Sequence, residues 1–245
     1  MYCVGQGSFK LINNLARFVD LFFRPRKISL QHTHRVRVSD LRLKPGEYVK
    51  ETFTMPTVRW QVDEGVHQVG DDGPVVKVAD KHVMFEDPSN TIEIRNAATP
   101  LSSSGEEDSV YRQVWFEIKG DKPKFTEQEV QEKLKNAIYT TDVGTSLLFE
   151  NKWCRVWDFY LEPGEGDPNH AHHHCLDYVF VYVAKGRLLG YSHDGQPGLF
   201  DSVNEDCDVT YNDIPDDAYL DVNHAHGGKN GYDDIPMREY LVELK

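Results

Sequence analysis

The chain has 245 residues, with 27 Lys and Arg against 40 Asp and Glu, so its formal net charge is −13. Such an acidic surface repels a phosphate backbone, which argues against general nucleic-acid binding. The length suits one large domain or two small ones, and the 39% hydrophobic content is enough for a sizeable core. No apolar run reaches the ~18 residues that a membrane span needs. These features predict a soluble globular protein.

The first 38 residues differ in charge from the rest of the chain. They carry seven Lys or Arg against Asp20 alone, a net charge of +6, which leaves −19 for the remainder. Ser8 can cap a helix that ends before Pro25. Its apolar residues recur at helical spacing: Leu11, Ile12, Leu15, Phe18, Val19 and Phe22. The pattern predicts a basic amphipathic helix, which could pack on the protein itself, contact a membrane surface weakly or target an organelle.

The cysteines and the N-terminus favour a reducing compartment. Four cysteines form neither a CxxC pair nor a dense disulfide framework: Cys3, Cys154, Cys175 and Cys207. The N-terminus lacks a secretory signal, because its apolar stretch is broken by polar and charged residues and no small-residue cleavage site follows. We therefore expect a cytoplasmic protein, with organelle targeting by the N-terminal segment left open.

An internal repeat indicates two related domains. Residues 39–47 (SDLRLKPGE) match residues 157–165 (WDFYLEPGE) at five of nine positions. Residues 112–119 match residues 238–245, and residues 82–87 resemble residues 208–213. The first match has an offset of 118 residues and the others have 126, so the second domain is about eight residues longer internally.

Each half of the chain has an all-β pattern. Short alternating or β-branched runs are separated by Pro-Gly, Asp-Gly or acidic turns, and strands are predicted at 35–43, 75–78, 155–161 and 179–183. Between the halves, Thr126 and Glu129 have the spacing of a capping box, and Val130, Leu134, Ala137 and Ile138 follow on one helical face. The polar residues 99–109 are predicted to form a mobile loop.

These observations predict four segments. They are the N-terminal helix and lead-in at 1–34, a β domain at 35–122, a helical linker at 123–150 and a second β domain at 151–245.

Histidines cluster in the second half. On a strand, residues i, i+2 and i+4 share a face, so His170, His172 and His174 are predicted to point together. His224 and His226 form a second pair at i and i+2. Converging imidazoles suit divalent transition metals, namely Fe(II), Mn, Ni, Cu or Zn. If the valine face of 177–183 lines the interior, Asp177 can approach these histidines.

The motifs resemble those of the cupin superfamily. Gly166, five intervening residues, His172 and His174 fit the first cupin motif, G(X)5HXH. His226 and Asn230 resemble the H(X)3N end of the second motif, and residues 238–245 look like the strand that closes a cupin barrel. With the repeat, the resemblance implies a bicupin. The implied fold is all-β, with two tandem jelly-roll-like cupin barrels, an N-terminal helix and a helical linker.

The resemblance implies that His172, His174 and His226 bind the metal in the second barrel. The glutamate that usually follows the HXH motif is absent, so Asp177, His170, His224 or water could supply the fourth ligand. When the two halves are aligned, the first half has other residues at the five histidine positions, so it lacks a comparable site: Thr52, Thr54, Pro56, Asn96 and Ala98.

Two classes of function remain open at the level of sequence. The first is a metal-dependent enzyme acting on a small oxygen-bearing organic molecule, with dioxygenase chemistry favoured and isomerase or lyase chemistry as alternatives. Asp177 and Tyr178 are its candidate catalytic residues. The second is a non-enzymatic bicupin that binds metal or ligand, such as a structural or storage protein. Homodimerisation is also left open.

Overall fold

A computed structural model describes residues 26–70, 72–98, 110–166 and 171–245 of the chain. Within these ranges the chain is mostly β-strand, as the alternating pattern predicts. The strands are β1 (Arg26–His32), β2 (Val36–Leu43), β3 (Tyr48–Thr52), β4 (Thr57–Gln61), β5 (Gly65–Val69), β6 (Val75–Val78), β7 (Val83–Glu86), β8 (Thr91–Asn96), β9 (Tyr111–Ile118), β10 (Ser146–Glu150), β11 (Cys154–Leu161), β12 (Asp177–Tyr182), β13 (Gly186–Ser192), β14 (Pro197–Asn204), β15 (Val209–Asn212), β16 (His226–Asn230) and β17 (Met237–Leu244). The described helices are α1 (Glu127–Asn136) and two 3₁₀ turns, Ala218–Leu220 and Val222–His224. The predicted N-terminal helix and the loop at 99–109 lie outside the described residues.

The strands form four antiparallel sheets. Two have five strands, in the orders β1-β2-β9-β4-β7 and β10-β11-β17-β12-β15. The others have the orders β3-β8-β5-β6 and β14-β13-β16. Strands of the second half follow the same order as strands of the first, since β2-β9-β4-β7 corresponds to β11-β17-β12-β15. The repeat in the sequence is therefore also a repeat in topology.

The largest core lies between the two five-stranded sheets. Trp60 on β4 stacks on Tyr240 of β17, with ring centroids 3.9 Å apart and planes 3° from parallel. Val179 and Val181 of β12 are fully buried in the same cluster, together with Val58 of β4. Each large sheet also covers a smaller core on its other face. Both faces of these central strands are therefore buried.

Two strands begin earlier than the segments predicted for the β domains. β1 begins at Arg26, ahead of the predicted boundary at residue 35, and pairs with β2. β10 begins at Ser146, inside the predicted linker, and pairs with β11. Both are edge strands of mixed polarity, and both pairings contain a register shift, so neither shows a regular alternation.

Helix α1 has the predicted capping box. Thr126 Oγ1 accepts from the Glu129 amide at 3.3 Å, and Glu129 Oε2 accepts from the Thr126 amide at 2.7 Å. Val130 is fully buried against Cys175 and Leu176, the two residues that follow His174. The helix therefore supports the loop that carries the predicted metal-binding histidines.

Three of the four cysteines lie within the described ranges. Cys154, Cys175 and Cys207 are free thiols. Within the described ranges, no helix has the length and apolar character needed to cross a membrane.

Candidate metal centre

A main-chain bridge joins the two histidine segments. The His172 amide donates to the His226 carbonyl at 2.9 Å, and the His226 amide donates to the His172 carbonyl at 3.2 Å. This antiparallel bridge is isolated, because the residues from 171 to 176 form a loop rather than the strand on which the histidines of this segment were expected to share a face. The bridge nevertheless places the two segments side by side.

Three imidazoles converge at this bridge. The ring centroid of His172 lies 5.1 Å from that of His174 and 4.8 Å from that of His226. The ring centroids of His174 and His226 are 5.3 Å apart. One ring nitrogen from each histidine lies within 4.8 Å of those of the other two. His172 and His174 are only 8% and 6% exposed. We call His172, His174 and His226 the histidine triad.

Neighbouring groups hold the rings of the triad. Tyr178 stacks on His174 at a centroid distance of 3.8 Å and 14° from parallel. Phe200 meets the ring of His226 edge-on at 5.8 Å. The His226 ring also donates a hydrogen bond to the His224 carbonyl. A hydrogen bond of this kind fixes the tautomer and leaves the other ring nitrogen free for a metal.

The protonation state of the triad suits metal binding. Burial and the neighbouring His172 and His226 rings hold the pKa of His174 well below its usual value. Burial also lowers the pKa of His226. Neutral imidazole is the form that ligates metals. The buried Nδ1 of His174 has no hydrogen-bond partner among the described residues, which fits a group that completes its bonding with a metal ion.

The other predicted ligands lie elsewhere. His170 falls outside the described residues. His224 is exposed at the end of a 3₁₀ turn and contributes its main-chain carbonyl, through the bond from His226, rather than its ring. The structure therefore brings together three of the five predicted histidines.

The valine face of β12 does not line the cavity beside the triad, so the condition under which Asp177 would approach the histidines is not met. Val179 and Val181 pack between the two large sheets, whereas Tyr178, Phe180 and Tyr182 face the triad side. Both faces of β12 are buried, so hydrophobicity alone could not identify the inner one.

Asp177 shares the valine face and is held away from the triad. Its carboxylate accepts from Arg35 Nη1 at 3.1 Å and from the Ile214 amide at 3.0 Å, and it lies 3.5 Å from Lys124 Nζ. Arg35 also donates to the Lys245 carbonyl at 3.0 Å. Asp177 thus connects the two halves of the chain, and the expected approach to the histidines does not occur.

A cavity of about 280 Å³ opens beside the triad. Its apolar lining includes Phe159, Phe180 and Phe200. A second cavity, which shares His172 with the first, extends toward residues 142–147. The triad therefore borders space that a small molecule could occupy.

Glu239 is a cavity residue that the sequence reasoning missed. It lines the 280 Å³ cavity and is only 3% exposed. Burial raises the pKa of its carboxyl to about 7. On β17, Glu239, Leu241 and Glu243 alternate with Tyr240 and Val242, so the period-two pattern of residues 238–245 would have placed the two glutamates on one face.

Asn96 and Asn230 correct the alignment of the two halves. Each asparagine donates its side-chain amide to a leucine carbonyl, Asn96 to Leu43 at 2.8 Å and Asn230 to Leu161 at 3.2 Å. These leucines are equivalent in the repeat. Asn96 therefore corresponds to Asn230, and not to His224 as the sequence alignment of the halves predicted.

The corrected register identifies the residues that replace the triad in the first half. Ile92 lies four residues before Asn96, as His226 lies before Asn230, and it pairs with Glu51 as His226 pairs with His172. Phe53, two residues beyond Glu51, corresponds to His174. Phe53 and Ile92 pack in an apolar cluster. Among the described residues, metal-binding geometry occurs at the triad alone.

Comparisons with known proteins agree with this fold. No protein-family model matches the sequence, and no curated protein sequence matches it. Among solved structures, AerE from Microcystis aeruginosa has a TM-score of 0.51 at 10% identity, over 90% of this chain and 98% of that chain. A deletion mutant of Bacillus subtilis oxalate decarboxylase OxdC also has a TM-score of 0.51, at 12% identity, over 90% of this chain and 73% of that chain.

A cupin 2 conserved barrel domain protein from Leptotrichia buccalis covers 93% of this chain and 94% of its own, at 11% identity and a TM-score of 0.46. The likenesses to AerE and to oxalate decarboxylase show the fold alone. The agreement extends over 90% of this chain, so both halves of the chain share the fold of those two structures.

Proposed function

We propose that this protein is a metal-dependent enzyme of the cupin type that acts on a small oxygen-bearing organic molecule. The observation that carries the proposal is the histidine triad, whose ring nitrogens converge at one end of a cavity of ligand size. Three protein ligands leave coordination positions for solvent or substrate, which is the arrangement of catalytic rather than structural sites. This favours an enzyme over a storage-like or structural bicupin.

The proposed architecture is a bicupin of two tandem barrels. The first barrel comprises β1 to β9 and the second comprises β10 to β17, with α1 as the helix that joins them. The equivalent strand orders support this division. In the first barrel, Phe53 and Ile92 replace two of the three histidines and the third position holds Glu51, which pairs with Lys27, so we assign this barrel a structural role.

The donor set fits a divalent transition metal. Three imidazole ligands suit Fe(II), Mn, Ni, Cu or Zn, whereas Mg and Ca prefer oxygen ligands. When bound, such an ion would polarise a substrate oxygen or activate dioxygen. We favour dioxygenase-like chemistry, with isomerase or lyase chemistry as the alternatives.

Tyr178 is the proposed catalytic residue of this chain. It lines the cavity and stacks on His174. Burial raises the pKa of its hydroxyl, so Tyr178 remains protonated at neutral pH. In this state its hydroxyl would donate a hydrogen bond or a proton to a substrate oxygen, and would not act as a base.

Metal content after mutation of the triad tests the proposal. The protein is expected to purify with, or take up, about one first-row metal ion per chain. The double substitution His172→Ala and His174→Ala removes two of three ligands, so it should abolish binding, as measured by plasma mass spectrometry after dialysis. His34→Ala, at an exposed histidine, is the matched control and should retain the metal. Full metal retention by the double variant would overturn the site.

A further inference from the structure

The end of the cavity remote from the triad carries an unused carboxyl group. Glu239 lines the cavity beside the Tyr182 hydroxyl, which interacts with its carboxyl, and its buried Oε1 meets no donor with hydrogen-bond geometry among the described residues. Buried polar atoms are normally bonded, so an unpartnered one in a cavity wall requires an explanation. Glu243, on the same face of β17, also has an unpartnered Oε1, but its Oε2 accepts from Arg155 at 2.8 Å and from Trp157 at 2.9 Å, and it does not line this cavity.

Strand register separates Glu239 from the triad. Tyr178, which stacks on His174, pairs with Glu243, whereas Tyr182 pairs with Glu239. Four residues of strand correspond to roughly 13 Å. The triad and Glu239 therefore belong to opposite ends of the cavity.

The middle of the cavity is apolar and lined by aromatic rings. Phe159, Phe180 and Phe200 come from three different strands. Phe200 lies across Gly190, where an added Cβ would stand 2.5 Å from its ring. The volume of about 280 Å³ is close to the lower limit of ~300 Å³ for small-molecule pockets. A flat apolar group, such as one aromatic ring, suits this space.

We propose that the cavity binds a small molecule with two polar ends, whose oxygen donors ligate a metal at the triad while an N–H or O–H group at the other end donates to Glu239. The metal end rests on the function proposed above. The Glu239 end rests on the buried, unpartnered carboxylate oxygen and on the apolar wall between the two ends. Glu239 is thereby assigned as a residue that determines substrate specificity.

Two probes of equal size test this assignment. Hydroxamates chelate divalent metals through two oxygens; 4-aminobenzohydroxamate presents a donor at its far end, and 4-methylbenzohydroxamate presents a methyl group there. Binding to the Zn²⁺-loaded protein is measured by calorimetry at pH 8, above the pKa of about 7 of Glu239, so that the carboxyl is mostly ionised. The amino probe should bind about tenfold more tightly, because a hydrogen bond to a charged acceptor is among the stronger kinds.

Two matched variants locate the effect. Glu239→Gln exchanges the charged acceptor for a neutral amide, so the preference should fall below about threefold. Glu243→Gln makes the same change on the same face of the same strand, outside the cavity lining, and should keep the tenfold preference. Melting temperatures and Zn²⁺ content show whether each variant is folded and loaded.

The outcomes separate this inference from the function on which it rests. Equal binding of the two probes by the wild-type protein, or an unchanged preference in Glu239→Gln, overturns the assignment of Glu239 while the metal site stands. An equal loss of preference in Glu243→Gln also overturns it. Failure to bind both Zn²⁺ and the probes overturns the proposed function together with this inference. The wild-type comparison decides even where a variant does not fold.

Discussion

The triad illustrates how buried polar side chains carry function. Its histidines lie in a cavity wall, where burial lowers the pKa of His174 and His226 and aromatic neighbours contact their rings. Ring orientation is part of metal affinity, because loss of groups that orient the ligands typically costs about 10- to 100-fold. The residues around the triad are therefore expected to influence metal binding without touching the ion.

Tyr178 tests this expectation. Tyr178→Phe keeps the ring that stacks on His174, so its metal affinity should stay within about twofold of the wild type. Tyr178→Ala removes the ring, and the affinity should fall about tenfold. Competition with a chelator of known affinity measures both. An equal loss of metal affinity in both variants would show that the hydroxyl, and not the ring, supports the site.

Glu239 gives the stability a dependence on pH. Its pKa is raised by burial to about 7 in the folded protein, against 4.5 as the ordinary value. A raised folded pKa means that the native state binds more protons, so this contribution to stability is full below pH 4.5 and is lost as pH rises through 7. Between pH 5 and 8, wild-type protein without metal should lose about 2–3 kcal/mol relative to Glu239→Gln.

Urea unfolding of both proteins at pH 5 and at pH 8 measures this difference. The free energy of unfolding of the wild type should decrease relative to the variant as pH rises. A constant difference between the two proteins would indicate that Glu239 ionises normally in the folded state.

At the scale of elements, β12 shows why strand position was easier to predict than strand orientation. The strand was expected at 179–183 and is observed at Asp177–Tyr182. Its valines and aromatic residues form two apolar faces, and both faces are buried. Alternation identifies a solvent face only where one exists. The sequence therefore could not tell whether the face of Asp177 and the valines or the aromatic face is turned toward the triad.

Asp177 provides the corresponding experiment. Asp177→Asn removes the charge that compensates Arg35 and Lys124, so it should destabilise the fold by about 3 kcal/mol. Metal content should remain unchanged, because Asp177 lies on the face opposite the triad. Thermal unfolding and metal analysis check the two expectations, with the exposed Asp233→Asn as control. Loss of metal from folded Asp177→Asn would restore Asp177 as a ligand.

Motifs and capping patterns predicted their elements well, whereas the alignment of the halves drifted. The capping box at Thr126 appears as predicted, because its hydrogen bonds are local. Asn96 was assigned to the wrong partner, because insertions between strands change the offset between the halves by a few residues that the sequence alone does not locate. Glu239 was missed because a buried carboxyl looks like any polar residue until the opposite wall of its cavity is known. Local hydrogen-bonding patterns can therefore be predicted from the sequence, whereas contacts between residues distant in the chain cannot.

At the scale of the whole molecule, the two halves share one continuous core. The stack of Trp60 on Tyr240 lies in this core, between the five-stranded sheets. Such an interface is expected to couple the unfolding of the two halves.

Substitution of Trp60 tests this coupling. Trp60→Ala removes a fully buried side chain and should cost about 3–5 kcal/mol. Unfolding monitored by circular dichroism and by loss of bound metal should give coincident transitions, both shifted to lower denaturant. Val76→Ala, at a 41% exposed position of β6, should leave the midpoint nearly unchanged. Retention of metal after the first half has unfolded would show that the halves are independent.

The central claim is that the histidine triad binds a metal ion beside the cavity. X-ray absorption spectroscopy of the Zn²⁺-loaded protein tests it most directly. The claim predicts about three imidazole nitrogens at roughly 2.0–2.1 Å, with the remaining coordination supplied by oxygen. A thiolate-dominated or oxygen-only shell, or the absence of a bound ion, would contradict it.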